Sequence, residues 1–123
     1  MSPLEIILMS SNPDFAKVVE KAGSGVFLTK GDMEAWNDMA PGLRGQRVVI
    51  VDDKRISLDT IERWLITVGV DEVTPFANAS GALEFLQSVA AADLPDVVIT
   101  DIQMPGMNGI ELAKKLRELF PKQ

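Results

Sequence analysis

Two short apolar runs end in carboxylates: Val48-Val49-Ile50-Val51-Asp52-Asp53 and Val97-Val98-Ile99-Thr100-Asp101. Each is too short for a typical helix and too uniformly apolar for a surface strand. Buried strands of a parallel sheet read this way. Open α/β sheets bind ligands beyond the carboxyl ends of their strands, where the strand order reverses. Three carboxylates gathered there suit a hard cation. Magnesium in particular takes oxygen ligands and favours one or two carboxylates plus phosphate.

Composition narrows the chemistry further. The chain has 123 residues and is 46% hydrophobic, enough for one domain with a real core. Its net charge is −6, and Lys and Arg do not cluster, which argues against nucleic acid as a partner. It has no cysteine, which excludes disulfides, thiolate metal sites and cysteine nucleophiles. It has no histidine, which excludes a Ser-His-Asp triad and an imidazole base. No apolar run reaches membrane-spanning length, and Met1 to Met9 carries Glu5 without a basic flank, unlike a signal peptide. The expected compartment is the cytoplasm, with no membrane partner.

The elements that must position the carboxylates alternate strand and helix. Glu5 to Met9 reads as a strand, and Asn12-Pro13 as a helix cap and first turn. Phe15, Val18, Val19 and Ala22 form the helix face, and Gly23 stops it. Val26-Phe27-Leu28 is a strand, and Asp32 caps a short helix with Met33, Trp36 and Met39 on one side. Residues 41–46, from Pro41-Gly42 to Gln46, read as a linker. Beyond it, Leu58, Ile61, Leu65 and Val68 mark a helix face ending near Gly69. Glu72 to Phe76 is a strand that Pro75 confines to a sheet edge. Asn78 caps a helix with Ala82, Leu83, Leu86 and Val89 inward. After Val97–Thr100 and a loop from Met104 to Gly109, a last helix turns Leu112, Leu116 and Leu119 inward and Lys114, Lys115, Arg117 and Glu118 outward. Five βα units of this kind imply a parallel sheet with helices on both faces.

Residues 47–120 resemble the first half of a bacterial response-regulator receiver domain. The resemblance rests on Asp52-Asp53 after one strand and on Asp101-Ile-Gln-Met-Pro-Gly-Met-Asn-Gly-Ile-Glu-Leu after another. Residues 1–40 resemble the two βα units that such a half still lacks. Ile6-Ile7-Leu8-Met9-Ser10 matches the strand ending in a switch Ser or Thr, and Phe27-Leu28-Thr29-Lys30 the strand with an aromatic switch residue and a lysine. The chain therefore reads as a single receiver-like domain over 1–123, circularly permuted, with its last two units ahead of its first three. A junction fragment of tandem receivers in a hybrid histidine kinase would present the same halves. The implied fold is a flavodoxin-like, doubly wound, five-stranded parallel sheet of order 4-3-5-1-2 in chain order, or 2-1-3-4-5 in receiver order. Complementary halves on a short linker could close within one chain or exchange between two, giving a monomer or a domain-swapped homodimer.

The resemblance implies a phosphoacceptor that takes a phosphoryl group from a histidine kinase or phosphotransfer protein onto Asp101. Mg2+ is then held by Asp52, Asp53, Asp101 and the backbone carbonyl of Gln103. Lys30 pairs with a phosphate oxygen, Ser10 donates a hydrogen bond to another, and Ser10 and Phe27 form the switch. Gln103 and Asn12 lie where the family tunes dephosphorylation. The implied role is signalling, with self-catalysed phosphoryl transfer and loss but no separate enzyme activity. Gly31 departs from the pattern, standing where the family usually has proline, and these 123 residues leave none spare for an effector domain. Two other functions stay open: a docking or dimerisation module independent of phosphorylation, and a metal-dependent phosphatase. The phosphatase reading lacks an acid–base carboxylate two residues from the nucleophile.

Overall fold

A computed structural model describes residues 4–23 and 25–121. The outermost ends of the expected 1–123 domain, residues 1–3 and 122–123, lie outside the described residues. The elements run β1 (Glu5–Ser10), α1 (Phe15–Ala22), β2 (Val26–Thr29), α2 (Met33–Leu43), β3 (Arg47–Val51), α3 (Arg55–Val68), β4 (Glu72–Phe76), α4 (Ala79–Ser88), a 3-10 turn, β5 (Val97–Asp101) and α5 (Gly109–Leu119). All strand pairs are parallel, in the order β2-β1-β5-β3-β4. Read from the other edge, this is the expected 4-3-5-1-2.

The order follows from burial. β5 and β3 are the uniformly apolar runs and occupy the middle of the sheet, where both faces are covered. β4, with Pro75, lies at an edge, where a missing N–H breaks no ladder on the open side. β1 closes the sheet by pairing Glu5–Met9 with Val97–Asp101, and Ile6, Leu8 and Met9 are 2% exposed or less. One core layer joins α1, α4 and α5 to one face, through Val19, Leu86, Leu112 and Leu116. The other joins α2 and α3 to the opposite face, through Trp36, Leu43, Leu58 and Leu65. Trp36 of α2 meets Trp64 of α3 edge-to-face, with ring centroids 5.3 Å apart.

Several local expectations are corrected. The linker is shorter than 41–46: α2 runs through Pro41 and Gly42 to Leu43, which is 3% exposed. Burial of Leu43 outweighs the bond Pro41 cannot donate near the helix end. Arg44–Gln46 then makes a hydrogen-bonded corner, with Gly45 N–H on the Gly69 carbonyl at 2.9 Å and Asp71 N–H on the Gln46 carbonyl at 2.7 Å. α1 starts at Phe15, because Asn12 Oδ1 accepts from Asp14 N–H at 3.0 Å and holds a turn before the helix. Asp32 and Asn78 do cap α2 and α4.

Val18 and Met33 are exposed, where their helix periods had placed them with buried neighbours. Leu119, expected inward, is 44% exposed, and Phe120 packs against the core beyond Leu116 instead. Arg117, expected outward, folds back and donates to the Leu4 carbonyl at the foot of β1. That contact brings the C-terminal helix beside the first strand.

Candidate functional site

The site lies at the carboxyl ends of β3, β5 and β1, and it centres on the β3/β5 pair where the order of connection reverses. Carboxylate oxygens of Asp52, Asp53 and Asp101 lie within 4.8 Å of one another. Asp52 is fully buried and Asp101 is 4% exposed, while Asp53 faces solvent. Hydrogen bonds hold Asp52 on both oxygens. Lys54 N–H donates to its Oδ1 at 2.9 Å and the Lys30 ammonium to its Oδ2 at 2.7 Å. The same ammonium stands 3.5 Å from Asp101 Oδ2 and donates to the Ser57 hydroxyl at 3.5 Å. Lys30 comes from the turn after β2, two strands away from β5, so the sheet order alone delivers it.

Asp101 has a carboxyl pKa raised above its ordinary value, chiefly because burial penalises its charged form. The negative Asp52 adds to the rise. The Lys30 ammonium and the Gln103 backbone N–H oppose it without cancelling it. The strand end beneath is fixed. Thr100 Oγ1 donates to the Asp101 carbonyl at 3.0 Å, and Ile102 N–H to the Met9 carbonyl at 2.9 Å. α5 starts behind it with a capping box between Asn108 and Glu111, and Met104 and Met107 pack into the core as loop residues.

Ser10 ends β1, buried, opposite Thr29. Its hydroxyl accepts from Asn12 N–H at 3.0 Å and donates to the Gln103 side chain at 3.4 Å. Phe27 lies opposite Leu8 on the edge strand, half-buried against the α1 side of the sheet. The structure thus brings Ser10, Lys30, Asp52, Asp53, Asp101 and Gln103 to one rim, with Phe27 three residues below Lys30 along the chain. Sequence reasoning missed Ser57 and Thr100, and also the hydrogen bond from the Trp36 indole to the Thr29 carbonyl, one residue before Lys30. Ser and Thr carry no sequence signal here, and Trp36 reads as core. The all-oxygen donor set, two of its carboxylates buried, fits a hard divalent cation. Among the described residues, no helix is long and apolar enough to cross a membrane.

Comparison with known proteins points the same way. The family model described as the response regulator receiver domain matches residues 48–123. The chain is 33% identical over 72 residues to hybrid signal transduction histidine kinase L of Dictyostelium discoideum, covering 58% of this chain and 4% of that protein. It is 35% identical over 72 residues to response regulator PleD of Caulobacter vibrioides, covering 58% of this chain and 15% of that protein. It is 39% identical over 75 residues to protein-glutamate methylesterase/protein-glutamine glutaminase 2 of Burkholderia thailandensis, covering 61% of this chain and 20% of that protein. The chain therefore spans a fifth or less of each of these relatives. No solved structure matches.

Proposed function

The chain belongs to the response-regulator receiver family, and on that premise we propose that it is a phosphoacceptor signalling domain modified on Asp101. The observation that carries the reading is the buried Asp101 carboxylate beside Asp52, Asp53 and the Lys30 ammonium. A carboxylate oxygen attacks phosphorus and forms an acyl phosphate. The P–N bond of a phosphohistidine on a kinase or phosphotransfer protein breaks, and the imidazole leaves. This chain has no histidine, so the donor histidine lies outside these residues.

Phosphoryl transfer asks mainly for positioning and charge neutralisation. Lys30 is placed to neutralise an added phosphate oxygen, and the Ser10 hydroxyl to donate to another once it leaves Gln103. Phe27 follows Ser10 in the switch to a protein-binding face. Asp52, Asp53, Asp101 and the Gln103 carbonyl would hold Mg2+, which supplies positive charge to the phosphoryl oxygens. The domain acts in the cytoplasm and has no separate enzyme activity.

The sheet order supports a circular permutation. Residues 4–43 supply the two βα units that the matched stretch lacks, and the joint is the Arg44–Gln46 corner. The chain then closes as a monomer, with the swapped dimer as the competing assembly. The test is magnesium-dependent phosphorylation by a small phosphodonor. The wild type should be labelled and Asp101→Asn should not. A second reading, docking without phosphorylation, draws on Gly31. It predicts that Asp101→Asn leaves partner binding unchanged.

A further inference from the structure

Thr29 to Asp32 form a tight turn closed by the Asp32 N–H on the Thr29 carbonyl at 3.1 Å. Lys30 and Gly31 are its two central residues. Glycine leaves such a turn conformationally loose, and nothing lies within 4 Å of where a Cβ on Gly31 would be. Yet Lys30 must hold its ammonium 2.7 Å from Asp52 and 3.5 Å from Asp101. The backbone ties the turn to β1 at one point, Lys30 N–H on the Ser10 carbonyl at 3.0 Å, and the Thr29 carbonyl side needs a further tie.

Trp36 supplies it. Its indole Nε1 donates to the same Thr29 carbonyl at 3.0 Å, so two donors grip the oxygen one residue before the lysine. The ring is 5% exposed and rests edge-on against Trp64 of α3. α3 also carries Ser57, which meets the lysine at its ammonium end. We propose that Trp36 is a positioning residue for Lys30: its indole clamps the Thr29 carbonyl and so fixes the ammonium between Asp52 and Asp101. The kinetic consequence rests on the phosphoacceptor reading, but the geometry does not.

Trp36→Phe removes the donor and keeps most of the packing. In the metal-free protein, the 15N-resolved signal of the Lys30 ammonium is sharp in the wild type and broadened away in the variant. Mg2+ binds the variant about twofold to threefold tighter, because a loosened ammonium competes less for the carboxylates. Phosphorylation by a small phosphodonor slows by about fivefold, the scale of one hydrogen bond. These opposite changes are the signature, since general destabilisation weakens both.

Lys30→Ala gives both changes more strongly, and adding Trp36→Phe to it changes nothing more. Trp64→Phe, which loses similar ring area without touching Thr29, keeps the ammonium signal. If Trp36→Phe fails to fold, benzothienylalanine at position 36 preserves the ring shape without the donor. The assignment is overturned by a wild-type ammonium signal and magnesium affinity in Trp36→Phe, by both affinity and rate falling together, or by an equal effect of Trp64→Phe. A wild type that takes no phosphoryl group refutes the phosphoacceptor reading alone. The ammonium signal still decides the role of Trp36.

Discussion

Gly109 is where backbone packing and the proposed chemistry meet most closely, and Gly109→Ala tests both. A Cβ there would stand 2.2 Å from the Asp101 carbonyl oxygen, 2.9 Å from its carbonyl carbon and 3.0 Å from Ile102 Cα. An unstrained carbon–oxygen contact is about 3.3 Å, so α5 and the end of β5 must part by roughly 1 Å. All three neighbours are backbone atoms, so no rotamer change relieves the clash. Overpacking of this kind costs about 1–3 kcal/mol. The Gly109 N–H also donates to the Ile102 carbonyl at 3.0 Å; straining that bond adds roughly 1 kcal/mol. The better helix propensity of alanine returns somewhat under ~1 kcal/mol. A net loss of about 1–3 kcal/mol lowers the melting midpoint by roughly 3–18 °C in a domain this size. The movement also displaces Asp101, and a misplacement of about 1 Å costs on the order of 100-fold in rate. Thermal unfolding followed by circular dichroism, with the phosphorylation rate measured in parallel, reads both effects. A variant that melts and phosphorylates like the wild type would refute the packing argument.

Three further predictions follow from the same geometry. Because the folded pKa of Asp101 is raised by burial, its charge opposes folding at neutral pH, and stability falls as pH rises from the ordinary value of 3.8 through the raised one. Metal-free Asp101→Asn should therefore unfold at higher denaturant than the wild type at pH 7, with the gap closing below the ordinary carboxylate range; an equal gap at all pH values would contradict this. Gly31→Ala, at a position with open space and no positive φ, should stabilise by about 0.4–1 kcal/mol through the unfolded chain, and a loss in urea unfolding would show strain in the turn. A chain of residues 46–123 loses β1 and uncovers the inner edge of β5, so it should show no cooperative melting transition; a sharp one would mean that the matched stretch folds alone.

What the sequence reveals here is what composition along the chain controls. The runs ending in Asp52-Asp53 and Asp101 announce buried parallel strands and an acidic rim, and Pro75 announces an edge. Ser10 and Lys30 are legible through their place at strand ends. The extent of α2 is not, because Pro41-Gly42 is a breaker locally and only the burial of Leu43 overrides it. Arg117 reads as a surface charge until the Leu4 carbonyl, 113 positions away in sequence, comes within reach. Trp36 reads as core and is core. That its indole also grips the turn of Lys30 depends on an angle between α2 and β2 that no local pattern encodes.

Asp101 is proposed as a magnesium-dependent phosphoacceptor in a sheet closed by residues from both ends of the chain. Native mass spectrometry with Mg2+ and a small phosphodonor tests it most directly. One added phosphoryl group on a monomer is expected in the wild type and none in Asp101→Asn. Bound Mg2+ with no phosphoryl gain, or equal gain in both proteins, would contradict it.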